Sequence, residues 1–324
     1  MDFVHRPALR NFDHELGKHR IQIIENSNIE PNTKTKPTPI ISSLISEGVR
    51  EVVAESKKNQ SKKKYYNGKR KKNIFDPKSK DTFKLSRTKI DLFLKCPRCF
   101  YIDIRLGLKV PPGYPFTLNV AVDELLKREF DFYRKKKKPH PIMIKNGIHV
   151  IPFLHPELDT WRHNFKGMRY HHPGTNLILY GAVDDVWVNP DTLKNRNPEI
   201  IIVDYKATSK KDGVSIDEDW QIAYKRQMEF YQWLFRKNRF KVSKTGYFVY
   251  CNGIKDKEMF DNRLEFDLEL FSYKGNCNWV EKAIIEADAC LRNAKPPKHS
   301  KDCHHCLYIR DRKSLVTESS SNRK

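Results

Sequence analysis

Apolar positions are distributed unevenly along the chain. Through residues 1–82 they are sustained only in ISSLISEGVREVV, residues 41–53, which fits one short amphipathic helix. From Phe83 onward they become periodic. Ser86 is the predicted N-cap of a helix carrying Ile90, Phe93, Leu94 and Tyr101 at helical spacing, and Pro111-Pro112-Gly113 then forces a turn. A second helix is predicted over 117–134, with Val120, Leu125, Leu126, Phe130 and Tyr133 as its apolar side. Two strands rich in β-branched and aromatic residues follow, 177–188 and 199–205, joined by a polar turn. A long helix is expected over 219–237, where Trp220, Tyr224, Gln227, Tyr231 and Leu234 recur at three- and four-residue steps. Strands over 246–251 and 262–270 and a helix over 277–291 complete the pattern, and Pro296-Pro297 ends it. This order predicts an α/β domain over 83–312, a disordered basic arm over 1–82 and a disordered tail over 313–324.

Charges stand where buried strands should exclude them. Asp184 and Asp185 interrupt the first apolar run, and Asp204 and Lys206 close the second, two residues apart and so on one face. Burying one unpaired carboxylate is costly, and several together need a cation to neutralise them. A divalent metal would do so. On the following helix Gln227 and Tyr231 are four residues apart and share a face, where an amide and a phenol can reach a phosphate; periodicity alone would equally make them a core stripe. The adjacent His171 and His172 would point to opposite faces of a strand, which suits a loop or surface role better than joint ligation, and Glu229 is expected to be solvated.

Three short motifs in order, Gly181-x-x-Asp184, Asp204-x-Lys206 and Gln227-x-x-x-Tyr231, resemble the PD-(D/E)XK nuclease superfamily and within it the RecB-like branch, which includes the AddB nuclease domain and the nucleases of CRISPR adaptation. The resemblance runs from about Leu85 to Arg310. It implies a restriction-endonuclease-like core, a central mixed β-sheet flanked by helices. It further implies that Asp184, Asp204 and the main-chain carbonyl of Tyr205 bind Mg²⁺ or Mn²⁺, that Lys206 activates water, and that Gln227 and Tyr231 position substrate. The branch carries Gly-x-x-x-His on an early helix, whereas this chain has Asn119-x-x-x-Asp123. Asp123 can supply oxygen to a hard cation in place of the histidine, or it is a helix-surface carboxylate, with Glu124 as the neighbouring candidate. Asp185, facing away from Asp184 on a regular strand, is not expected to be a ligand.

Charge narrows the partners. The 324 residues hold 62 Lys and Arg against 40 Asp and Glu, a net +22, which points to a polyanion and first to DNA, single- or double-stranded. Lysines and arginines cluster over 57–72 around Tyr65 and Tyr66, fitting a phosphate-tracking tail with stacking groups, or a solvated basic linker. The basic, aromatic segment 135–172, with Trp161, Phe165 and Tyr170, is a candidate lining for a nucleic-acid groove. No apolar run approaches the ~18 residues a membrane span needs, and the first twenty residues lack a signal's apolar core, so an intracellular, cytoplasmic protein without a membrane partner is expected. There is no Gly-x-x-x-x-Gly-Lys phosphate loop, so any helicase motor would come from a partner.

Seven cysteines, an odd number, argue for thiols and metal ligation over disulfides. Cys96-x-x-Cys99 and Cys303-x-x-Cys306 together make a four-thiolate set that would close the domain. Several RecB-like nucleases hold a [4Fe-4S] cluster with one cysteine before the core and three after. Here the division is two and two, and a tetrahedral thiolate site suits Zn²⁺ as readily. His304 and His305 are read as bystanders, and Cys251, Cys277 and Cys290 as small core residues. The function expected from the whole is a metal-dependent deoxyribonuclease in DNA repair, recombination or processing. Its alternatives are a catalytically weakened DNA-binding module or a non-enzymatic recruitment scaffold.

Overall fold

A computed structural model describes residues 68–111, 113 and 116–321, all within one compact unit spanning 64–324. The expected helix at 41–53, the disordered arm as far as residue 67 and most of the basic cluster lie outside the described residues. Within them, Phe75 is already buried in the main core, and Arg70 forms an ion pair with Asp103.

Strand β1 (Phe83–Ser86) runs into helix α1 (Arg87–Lys95), with Ser86 as the N-cap residue, although its side chain makes no capping bond. The single helix expected here is two. Pro97 has no N–H to donate and disfavours helical geometry in the residue before it, so Cys96 is extended (φ −158°, ψ 103°) and α2 (Pro97–Ile104) starts afresh. Helix α3 (Thr117–Lys136) buries Val122, Leu126, Phe130 and Arg134, whereas the predicted Val120 and Leu125 are 55% and 60% exposed. Its sequence offers two apolar rows, and packing against Trp187, Val203 and Tyr205 selects the row at four-residue spacing.

Short elements α4 (Pro141–Lys145), β2 (Ile151–Pro152) and α5 (Leu158–Arg162) lead to β3 (Met168–His171). The apolar run predicted as one strand over 177–188 is broken into β4 (Leu177–Gly181) and β5 (Asp185–Val188), which belong to different sheets. The break lies at Ala182–Asp184, where the amide of Val183 bonds the carbonyl of Trp161 in place of a strand partner. Then come β6 (Ile200–Thr208), α6 (Ile222–Lys237), β7 (Thr245–Gly253), β8 (Phe266–Lys274), α7 (Asn278–Arg292) and α8 (His304–Ser321). Strand β8 starts four residues later than expected because Asp261 and Asn262 adopt left-handed φ of 42° and 54°, a turn and not a strand. Helix α8 continues past Arg312, through residues whose composition predicts a frayed end.

The expected α/β architecture is present. Five strands form a mixed sheet in the order β2-β5-β6-β7-β8, with β6 and β7 parallel and the other neighbours antiparallel, and β1-β4-β3 form a second sheet. Alternation along β6 divides the core. Ile200 and Ile202 face the layer of α1, α6 and α7, with Ile90, Phe230, Leu234 and Ile284, while Ile201, Val203 and Tyr205 face α3 and α4, with Leu126, Phe130 and Met143. Among the described residues no helix is long and apolar enough to cross a membrane.

Candidate active site and cysteine cluster

The alternation that sends Ile200 and Ile202 toward α6 sends Asp204 and Lys206 there too. Asp204 is fully buried, and its Oδ1 accepts a 2.7 Å hydrogen bond from Gln227 Nε2 of α6. Its Oδ2 is ion-paired with the Lys206 ammonium and makes no well-formed hydrogen bond. Burial, opposed by Lys206 and reinforced by the charge of Asp184, pushes the Asp204 carboxyl up to about 7. Lys206 Nζ also lies 4.5 Å from the centre of the Tyr224 ring, a cation–π contact that restrains the flexible stem.

Asp184 comes to Asp204 because the ladder between β5 and β6 ends. Pairing runs from Val188 with Ile200 to Asp185 with Val203, and beyond it the amide of Tyr205 is taken up by Asp184 Oδ2 at 2.9 Å. The break in the apolar run thus places a carboxylate beside the last paired residues of β6. Asp123 reaches the same place from α3, which Asn119 ties to the end of β6 through a 3.3 Å bond to the carbonyl of Ala207. Burial and the neighbouring charge of Asp184 raise the Asp123 carboxyl above its ordinary value, against the pull of Lys127. Glu124, the other candidate, is exposed and pairs with Arg128.

Gln227 and Tyr231 share a face, as their spacing requires, but meet different neighbours. Gln227 holds Asp204, whereas Tyr231, 4% exposed, packs its ring against Gly181, where a β-carbon would come within 2.5 Å of Cε1. Burial pushes the Tyr231 phenol up to about 12, with Arg87 opposing and Asp184 and Asp204 adding to the rise.

Asp185 points the other way. It is fully buried and accepts bonds from Arg134 Nη2 (2.5 Å), Arg162 Nη2 (2.8 Å), Tyr205 Oη (2.8 Å) and Trp187 Nε1 (3.1 Å). Burial alone would raise its carboxyl, but the two guanidinium groups outweigh burial and hold it below the usual range. The tandem aspartates are therefore divided where β5 begins: Asp184, in the break, bonds the Tyr205 amide, and Asp185, in the strand, is enclosed in an ion network.

Three cationic or carboxylate-bearing sides thus converge from β6, the β4–β5 break and α3. A model of the PD-(D/E)XK nuclease superfamily matches residues 84–310. The chain belongs to this superfamily. No curated protein matches it.

Two residues of this superfamily member escape a sequence reading. Lys127 places Nζ 2.6 Å from Asp123 Oδ2 and 3.8 Å from Asp184 Oδ1; its position one helical turn after Asp123 was the available signal. Arg87, at the first position of α1, has a buried Nε without a hydrogen-bond partner and lies against Gly181 and Tyr231. Nothing in its sequence context marks it. Other expectations change with packing. Trp161 is buried against Phe235 and Phe240 and cannot line a groove, while Phe165 is 82% exposed. His172 is buried and bonds Glu281 at 2.8 Å, whereas His171 is exposed. Glu229 is not solvated: it accepts bonds from Tyr273 Oη and Trp279 Nε1, both 2.6 Å, and from the amide of Asn276 at 2.9 Å.

The two Cys-x-x-Cys pairs do meet. The Sγ atoms of Cys96, Cys99, Cys303 and Cys306 all lie within 4.8 Å of one another, the first three buried, forming a group able to hold a metal ion. His304 and His305 are exposed, and Cys251 and Cys290 are buried, as expected of core residues, Cys290 with its Sγ 3.9 Å from the carbonyl of Pro97.

Proposed function

We propose that this PD-(D/E)XK protein is a metal-dependent deoxyribonuclease of the RecB-like type, hydrolysing phosphodiester bonds in DNA during repair, recombination or processing. The observation that carries the reading is the convergence of Asp184, Asp204 and Lys206, with Gln227 bonded to Asp204 and Asp123 drawn alongside. The helix-borne Gln227-x-x-x-Tyr231 pair beside Asp204 favours the RecB-like branch.

The donors suit a hard divalent cation. Three carboxylates gather where two of them are pushed toward their neutral forms, with Lys206 and Lys127 as the neighbouring cations. Asp184 and Asp204, with Asp123 and the main-chain carbonyl of Tyr205, would hold Mg²⁺ or Mn²⁺, which supplies Lewis-acid polarisation of the scissile phosphate. Lys206, held beside Asp204 and over Tyr224, orients the attacking water and stabilises charge developing on the phosphoryl oxygens. Gln227 fixes the Asp204 carboxylate, and Tyr231 with Arg87 positions the substrate phosphate. The strongly basic composition supplies affinity without sequence readout, giving binding that falls steeply with salt. Processive action would need a motor such as a helicase from a partner.

The test is cleavage of linear and circular, single- and double-stranded DNA with Mg²⁺, Mn²⁺ or EDTA, alongside Lys206→Ala. Metal-dependent cutting lost in Lys206→Ala is expected. Salt-sensitive DNA binding with no cutting by either protein would replace the reading with that of a binding module.

A further inference from the structure

The four cysteines close the chain on itself. Cys96 sits at the break between α1 and α2, Cys99 in the first turn of α2, and Cys303 and Cys306 at the start of α8. The returning segment is already held by protein contacts: Tyr101 Oη donates to the carbonyl of Asn293 (3.0 Å) and Arg98 Nε to that of Pro297 (2.9 Å). The sulfurs are therefore brought together by the fold from two directions, and their spacing bears on what can lie between them.

Those separations are short. Cys99 Sγ is 3.5 Å from Cys306 Sγ and 3.6 Å from Cys303 Sγ, and Cys96 Sγ is 3.9 Å from Cys306 Sγ. Four thiolates about 2.3 Å from one central zinc ion have a tetrahedral edge of about 3.8 Å, close to these three separations, and all four sulfurs lie within 4.8 Å of one another. An iron–sulfur cubane places each thiolate on a different iron, with four irons and four sulfides between them, and so holds the cysteine sulfurs well beyond near-contact. Leu92 and Val110 pack against the group. We propose that Cys96, Cys99, Cys303 and Cys306 bind a single zinc ion and not an iron–sulfur cluster. The ion ties α1 and α2 to α8 without redox chemistry.

The inference does not depend on the nuclease reading, because its readout is metal content and not cleavage. The full chain is produced in medium containing both iron and zinc, purified under argon, and analysed for metals, acid-labile sulfide and visible absorption. About one zinc per chain is expected, with neither iron nor sulfide, in a colourless protein. Replacement by Co²⁺ should give the intense visible bands of tetrahedral cobalt thiolate. Stoichiometric iron with acid-labile sulfide, or a folded chain containing neither zinc nor iron, would overturn the proposal. Cys306→Ser, at the least buried of the four, should lower zinc content and melting temperature together. If that variant does not fold, the metal content of the unaltered chain still decides.

Discussion

The ring of Tyr231 occupies the space that a side chain at Gly181 would fill, with Cε1 2.5 Å from where a β-carbon would stand. The backbone at Gly181 is not left-handed, so the constraint is steric alone. Gly181→Ala should therefore keep the fold at a cost of about 1–3 kcal/mol while displacing Tyr231 and with it Arg87. Cleavage should fall by about 10²-fold in single-turnover assays, with a modest drop in melting temperature. Full activity in this variant would remove Tyr231 from the positioning role.

Lys127 lies between Asp123 and Asp184, where its charge would compete with a divalent cation bound as proposed. All three side chains are partly exposed, so solvent screens the effect to about 1 kcal/mol. Lys127→Met should bind Mn²⁺ about fivefold to tenfold more tightly in a calorimetric titration. Weaker binding would mean that Lys127 orders the carboxylates instead of competing for them.

Asp185→Asn leaves the guanidinium groups of Arg134 and Arg162 without their shared buried anion. A loss of about 3–5 kcal/mol is expected, measured as a fall of about 10 °C in melting temperature. Metal binding per folded molecule should be retained, because Asp185 faces away from Asp184.

Asp204 sets a pH dependence of the opposite sign to that of Asp185. Its folded value is raised, so its contribution to stability is present below the ordinary carboxylate range and is lost as pH rises through about 7. In EDTA, melting temperature should fall between acidic and mildly alkaline pH more steeply in the unaltered protein than in Asp204→Asn. Asp185, held low, contributes above the ordinary range and loses that contribution as the medium is acidified. Parallel slopes for the two proteins would show that Asp204 is not the group responsible.

Much of the candidate site was legible because its geometry is local. Two-residue alternation placed Asp204 and Lys206 on one face, four-residue spacing placed Gln227 and Tyr231 on another, and paired Cys-x-x-Cys units predicted a joint cluster. The break in 177–188 was not legible, since residues on both sides of it have strand composition and only the two sheets they join divide them. Nor was the buried row of α3 or the burial of Glu229. Each depends on which neighbour packs there: Trp187 and Tyr205 for Val122 and Phe130, and Tyr273 and Trp279 for Glu229.

By itself the sequence determined the kinds of element, their order and the faces on which their polar residues lie, because periodicity is a property of one strand or one helix. Tertiary structure decided what those residues meet. Asp184 and Asp185 are chemically identical and adjacent, yet one bonds the Tyr205 amide beside Asp204 and the other is enclosed by two arginines. The difference arises from distance and burial, which set the strength of charge interactions through space and which sequence separation does not encode.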